Sequence, residues 1–277
     1  MRPKKLKVQS ENQWFQRAEV LKRNRKKRSQ HGQFFVEGVH SINALIAHDA
    51  WTIEALLYTP ERSLSNWART ILTASRARHH LELSAALMDQ LSDKEESSEL
   101  LAIVEMPADD PARIPICPDA LIALADRPQS PGNLGTLIRS CEAFGVHGLV
   151  VTGHACDLYD PQTLRAATGA LFALPTTHIF SQADLDGWLA SLHQQLPEFQ
   201  LVGTSAQGET VLSNCPFTKP TLLVIGNEGS GLSRRFRERC DYVASIPMSG
   251  QTPSLNMASA ATVCLYEIQR QRMEAGY

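Results

Sequence analysis

The second half of the chain alternates short apolar runs with amphipathic stretches. ALIALAD, GLVVTG, PTTHIF, QLVGTS, TLLVIG and DYVASIP are dense in Val, Ile and Leu with little polar alternation, as in strands buried on both faces of a parallel sheet. Between them the spacing predicts helices near 133–144, 160–172, 183–196 and 232–239, and a last one over about 254–272. In the first of these Leu134, Leu137, Ile138, Cys141 and Phe144 recur at helical spacing and mark the core face, with Arg139 off that stripe. Repeated strand and helix define an α/β fold with a largely parallel sheet.

The first half is a smaller α/β pattern. FFVEG reads as strand and turn, VHSINALIAH as an amphipathic helix and IEALLYT as a strand; a helical stretch follows from Ser63 to Arg78. LELSAALMDQLSD then reads as a short helix and LLAIVEM as a final strand. Pro107, Pro111, Pro115 and Pro118 rule out regular helix and mark a linker. The expected organisation is a basic arm over 1–30, a small α/β domain over 31–106, a proline-rich linker over 107–118 and the larger α/β domain over 119–277.

Charge changes the picture at one end. The net charge of -2 conceals 11 Lys/Arg against two Glu in residues 1–28, and 16 basic against 27 acidic residues in the rest. The run KRNRKKR offers Lys22, Arg23, Arg25, Lys26, Lys27 and Arg28 as contacts to nucleic-acid phosphates. From charge alone a solvated, partly helical lead-in that aids solubility is an equal reading. No apolar run approaches the roughly 20 residues of a membrane helix, and the N-terminal stretch lacks the apolar core of a secretory signal. The six cysteines are scattered without a CxxC pair, which predicts neither disulfides nor a zinc site and points to a reducing cytoplasm. Adjacent His79 and His80 do not suit a ligand pair, so no metal is expected.

Three polar, glycine-bearing interruptions carry the candidate chemistry: 126–145 (DRPQSPGNLGTLIRSCEAFG), 222–233 (LLVIGNEGSGLS) and 246–260 (IPMSGQTPSLNMASA). Ordinary turns need fewer polar residues, and the three are read as walls of one ligand site. GNEGSGLS has the look of a phosphate loop, but Leu232 stands where its lysine must be, which argues against nucleoside triphosphate hydrolysis. Its glycines allow close backbone approach, and Glu228 among them is harder to explain as a mere turn. Asn133 is placed as a helix cap, and Arg139 either grips a phosphate or pairs with Glu142 on the surface. Ser254 and Asn256 stand at a helix start, by capping or by function, while Ile246, Met248 and Leu255 could wall an apolar pocket around a purine.

Taken in order, DRPQSPGNLGTLIRSCEAFGV, RAATGALFALP, LLVIGNEGSGL and IPMSGQTPSLNMASAATVCLYE resemble the motif set of the SpoU (TrmH-type) RNA ribose 2'-O-methyltransferases of the SPOUT class; the likeness covers about 120–270, and RNRKKRSQHGQFFVEGVHSINALI extends it upstream. The resemblance implies a trefoil-knotted C-terminal α/β domain, a homodimer, a small RNA substrate-binding domain, and S-adenosyl-L-methionine held mostly by backbone. It implies cofactor contacts at Gly226, Ile246 and Leu255, with Gly203 and Thr204 on the adenine side, and active-site roles for Asn133, Arg139, Glu228, Ser254 and Asn256. Arg139 is expected to grip phosphate and stabilise charge, oriented by Glu228 and Asn133; Arg165 and Thr168 stand where Lys and Ser are frequent, for phosphate contact. The expected activity is methyl transfer to a ribose 2'-hydroxyl of structured RNA, transfer or ribosomal. The alternatives are a non-catalytic RNA-binding protein on the same scaffold or a SPOUT base methyltransferase.

Overall fold

A computed structural model describes residues 3–94 and 96–276. In chain order the elements are β1 (Lys4–Val8), α1 (Gln13–Arg23), α2 (Arg25–His31), β2 (Gln33–Glu37), α3 (Val39–Ala47), β3 (Ile53–Tyr58), α4 (Asn66–Ala74), β4 (His79–Leu83), α5 (Ala85–Leu91) and β5 (Leu101–Glu105). There follow β6 (Leu121–Asp126), α6 (Pro131–Ala143), β7 (Gly148–Thr152), α7 (Pro161–Ala167), α8 (Ala170–Ala173), β8 (Thr176–Ile179), α9 (Gln182–Gln195) and β9 (Gln200–Thr204). The chain closes with β10 (Thr210–Val211), β11 (Thr221–Ile225), α10 (Arg234–Arg239), β12 (Tyr242–Ser245) and α11 (Met257–Glu274). Two compact units result: the first runs to Pro107 and takes in Asp157–Ala173, and the second comprises Ala108–Cys156 and the chain from Leu174 onward.

The first unit is built on a five-stranded mixed sheet in the order β1-β4-β3-β5-β2. β1 and β3 flank β4 in parallel, while β5 runs antiparallel to both β3 and β2. Phe15, Ala18 and Leu21 on one face of α1 pack with Leu57, Leu81 and Ile103 of the sheet. Leu81, Glu82 and Leu83, read from sequence into the helix that follows, form β4 with His79 and His80 instead, because the strand HHLEL carries polar positions that hide its short apolar alternation. Asp157–Ala173 packs on this same unit: Tyr159 and Phe172 meet Phe34, and Trp51 Nε1 donates to the Phe172 carbonyl at 2.9 Å.

The basic segment is part of this fold and not a separate arm. Lys4, Lys5 and Lys7 lie on β1, at the sheet edge, where lysines oppose edge-to-edge pairing. Two expected RNA contacts are corrected here. Arg28 is 2% exposed, and its guanidinium is bound to Asp157 at 2.8 Å and Asp160 at 3.2 Å, so it closes a buried ion cluster. Lys22 is likewise committed, to the Leu91 carbonyl at 2.8 Å and Asp93 at 2.6 Å. Arg23, Arg25, Lys26 and Lys27 remain exposed.

The second unit holds a seven-stranded, all-parallel sheet in the order β10-β12-β9-β11-β6-β7-β8. Its central strands β6, β7 and β11 are buried along their length, as their unbroken apolar runs require. Ile122, Leu124, Val150, Leu222 and Val224 pack against Leu185, Leu189 and Leu192 of α9 and Phe236 of α10. The proline-rich stretch is anchored, with Ile114 2% exposed and pressed so close to Gly148 that a side chain there would meet it at 2.6 Å. In a parallel sheet all strand ends of one sense lie on one edge; the carboxyl ends of β6, β11 and β12 open into the three interruptions singled out in the sequence, and the end of β9 lies at the same edge.

Candidate active site

The loop after β11 is closed on itself. Asn227 and Gly231 exchange both backbone hydrogen bonds, at 3.0 and 2.9 Å, and Asn227 Oδ1 accepts from the N–H of Gly229 and Ser230. Gly226 makes the closure possible, because a Cβ there would lie 2.4 Å from Gly231 C and Leu232 N. This loop, the end of β9 and the segment from β12 to α11 enclose a cavity of about 380 Å³. Thr204, Gly226, Ile246 and Leu255 line it, as do Glu228 and Ser254. Met248 lines it as expected, and Ser205, Gln207 and Met257 also line it, with no motif signal beyond their neighbourhood. Gly203 is not among the residues lining the cavity; a side chain there would meet Leu232 Cδ2 at 2.6 Å and Cys240 Sγ at 2.9 Å, and it adjoins the cavity through its neighbour Thr204.

At the mouth, one hydrogen-bonded row ties the three interruptions together. Glu228 accepts from the N–H of Gln129 at 3.0 Å and of Ser130 at 3.1 Å, and from Asn133 Nδ2 at 3.3 Å. Asn133 Oδ1 in turn accepts from Asn256 Nδ2 at 2.9 Å. Asn256 Oδ1 caps α11 by accepting from the N–H of Ala258 and Ser259, so both amides have only one consistent orientation. Asn133 is therefore not the cap of α6. Ser130 is, through its Oγ to the Asn133 N–H at 3.3 Å, and Pro131 takes the first helical position.

The turn before α6 is under strain. Arg127 has φ 54°, in the left-handed region that a non-glycine residue adopts at a cost, and its carbonyl accepts from Asn227 Nδ2 at 2.7 Å. Its guanidinium is held bidentately by Asp126. Sequence reasoning missed Arg127, Gln129 and Asn227, because their roles run through backbone groups.

Burial disfavours the charged form of Glu228, but the backbone N–H groups of Gln129, Glu228 itself and Ser130, with Asn133, outweigh it and hold the carboxyl below its usual range. Glu228 is thus ionised at neutral pH and a weak base. The row positions groups; it does not supply strong proton abstraction.

Arg139 is not brought into this row. It lies six residues beyond Asn133 on α6, about 9 Å along the axis and some 240° around it at 1.5 Å and 100° per residue. Its side chain is exposed, and among the described residues it makes no hydrogen bond or ion pair, so neither Glu228, Asn133 nor Glu142 orients it. Arg165 lies in the first unit, exposed and 3.3 Å from Asp93. At the opposite edge of the sheet Cys117, Asp119 and His147 bring ligand-type atoms within 4.8 Å, yet His147 Nδ1 already accepts the Leu121 N–H at 3.0 Å.

The cavity suits S-adenosyl-L-methionine. Ile225, Ile246, Met248 and Leu255 offer apolar walls for a purine, the glycine loop brings main-chain groups close, and Glu228 supplies a negative charge at the rim toward a sulfonium.

The SpoU rRNA Methylase family model matches residues 120–266 and the SpoU L30e-like domain model residues 12–102. The chain belongs to the SpoU rRNA methylase family. It is 44% identical over 272 residues to the 23S rRNA (uridine(2479)-2'-O)-methyltransferase of Streptomyces viridochromogenes, covering 98% of this chain and 94% of the relative. The crystal structure of the SpoU methyltransferase AviRb from that organism with AdoMet superposes with a TM-score of 0.89 at 45% identity, over 95% of this chain and 98% of that one. An AdoMet-bound rRNA methyltransferase from Sinorhizobium meliloti gives a TM-score of 0.83 at 27% identity, over 96% of this chain and 98% of that one.

Proposed function

We propose that this protein transfers a methyl group from S-adenosyl-L-methionine to a ribose 2'-hydroxyl of ribosomal RNA. The observation that carries the reading is the Glu228–Asn133–Asn256 row at the mouth of the glycine-walled cavity, in a chain of this family. Thr204, Gly226, Ile246 and Leu255 hold the cofactor, which supplies an already activated methyl group. What remains for the protein is to orient the hydroxyl and to stabilise the oxygen as its proton leaves to water or a substrate phosphate oxygen and the demethylated cofactor departs as the neutral thioether. Ser254 and the Asn133 and Asn256 amides fix the ribose. Arg139, always charged, grips a phosphate and stabilises the developing oxyanion.

Because Arg139 stands apart from its own chain's row, the reading includes a homodimer in which α6 and α11 meet their counterparts. α6 and α11 pack together, with Ser140 Oγ 2.7 Å from Thr262 Oγ1, and α11 leaves Val263 and Tyr266 exposed. The chain threading of the second unit is read as the family's trefoil knot. No helix among the described residues is long and apolar enough to cross a membrane, in keeping with a cytoplasmic enzyme acting on ribosomal RNA.

The test is transfer of label from methyl-labelled cofactor to ribosomal RNA lacking the modification, by wild type and Arg139→Ala. Wild type transfers label, and the variant binds cofactor normally but loses at least 100-fold in rate, about 2.7 kcal/mol of transition-state stabilisation. Near-normal transfer by the variant at saturating RNA removes Arg139 from the chemistry; no transfer by wild type overturns the reading.

A further inference from the structure

The first unit contains a second cavity, of about 440 Å³, lined by elements of that unit alone. One wall is the start of α3. The residue before it, Gly38, makes no side-chain cap, so the N–H groups of Val39, His40 and Ser41 have no intrahelical acceptor. A helix start by itself attracts anions only weakly. The independent observation is Ser41, which lines the cavity and is 4% exposed, while among the described residues its hydroxyl has no hydrogen-bond partner. Its Oγ is not sealed from solvent, unlike Thr177 Oγ1, and is open to an oxygen-rich ligand in the cavity.

The charges around the cavity point the same way. Lys94 and Arg165 line it, and Lys94 has no ion pair among the described residues. Of the two lining carboxylates, Asp93 is ion-paired, and Glu37 keeps its charge but has its acceptors occupied by neutral donors. Glu37 accepts from Ser92 Oγ at 2.5 Å, Ser98 Oγ at 2.9 Å and the Asp93 N–H at 3.2 Å, and Asp93 is bound by Lys22 at 2.6 Å. Arg165 rests on Asp93 at 3.3 Å and is 66% exposed, free to turn toward an incoming anion. Val39, Pro161 and Leu164 add apolar lining, and the volume exceeds what a bare phosphate needs.

We propose that this cavity is a nucleotide subsite for the RNA substrate: one phosphate is held by the α3 N–H groups, the Ser41 hydroxyl, Lys94 and Arg165, and its nucleoside lies on Val39, Pro161 and Leu164. The proposal rests on the RNA-methylating reading of the second unit and gives the first unit a defined role in it.

Two measurements on the full chain test it. In the first, a labelled single-stranded ribo-oligonucleotide is titrated by fluorescence anisotropy over a salt series with wild type, Ser41→Val and Lys94→Gln. Each variant binds RNA roughly five- to twenty-fold more weakly, and Lys94→Gln lowers the slope of log affinity against log salt by about 0.7, one phosphate contact on a single strand. Affinity for S-adenosyl-L-methionine and thermal stability stay at wild-type values in both variants. In the second, uridine 3',5'-bisphosphate shifts the amide resonances of Val39, His40 and Ser41, and uridine alone does not. Variants that bind RNA like wild type with an unchanged slope, or amides unmoved by the bisphosphate, overturn the proposal. If wild type neither binds nor methylates RNA, the enzymatic reading fails and the bisphosphate titration still decides the cavity.

Discussion

Glu228→Gln preserves shape and changes only what the carboxylate can accept. In the wild type Oε2 takes the Gln129 N–H, and Oε1 takes both the Ser130 N–H and Asn133 Nδ2. A glutamine has one acceptor oxygen, so one of the two backbone donors must face an NH₂ group. A hydrogen bond to a charged group contributes about 1.5–3 kcal/mol, and water at this exposed rim replaces part of it, so the expected loss is about 1–1.5 kcal/mol. In a chain of this size that is a fall in Tm of roughly 2–6 °C. The pH dependence is the sharper test. The folded carboxyl titrates below its usual range, so its contribution is complete above the unfolded value and lost as pH falls through the folded one. Urea unfolding should show a constant gap between wild type and variant from about pH 8 to about pH 5, narrowing on further acidification past the ordinary carboxylate range near 4.3. Methyl transfer should fall about tenfold or more, because the clamp that positions Asn133 is loosened. A stability gap that stays constant to about pH 3, or widens on acidification, refutes the assignment of Glu228 as an ionised clamp.

Further substitutions separate roles that coincide in one residue. Asn256→Ala removes the α11 cap and the bond to Asn133, and calorimetric unfolding should show a loss of about 1–2 kcal/mol. Asn256→Asp keeps the cap but cannot donate to Asn133, so stability stays near wild type while methyl transfer drops; wild-type activity of Asn256→Asp contradicts the positioning role. Arg28→Ala strands Asp157 and Asp160 and should destabilise the protein by about 3–5 kcal/mol in denaturant unfolding. Lys26→Ala with Lys27→Ala should leave stability within about 0.5 kcal/mol and weaken RNA binding in anisotropy titrations. Tyr266→Arg places a charge on the exposed face of α11 and should yield a monomer by light scattering; a persistent dimer would place the interface elsewhere.

The parallel sheet of the second unit was legible because six apolar runs were long enough to be buried on both faces, and only the two-residue β10 escaped. The glycine loop was legible for a related reason. Leu232 excluded a phosphate loop, and what remained of GNEGSGLS was a backbone that must approach itself closely, as Gly226 does. Less visible were features in which polarity and burial part company. Arg28 sits in a run of cations that reads as solvated, and only the two aspartates 129 and 132 residues further on make its burial possible. β1 reads as a basic tail because an edge strand tolerates lysines. Asn133 and Arg139 share one helix and were read as one constellation, but six residues of helix put them about 120° apart around the axis and about 9 Å along it. Periodicity placed helices over 160–172 but carries no information about which sheet they cover, and they pack on the first unit.

The most direct measurement of the central claim is the chemical position of the transferred methyl. Ribosomal RNA lacking the modification is incubated with the protein and methyl-labelled cofactor, digested to nucleosides and resolved by mass spectrometry. The account predicts label on the ribose of one 2'-O-methylated nucleoside. Label on a base, or no label from a preparation that binds the cofactor, contradicts it.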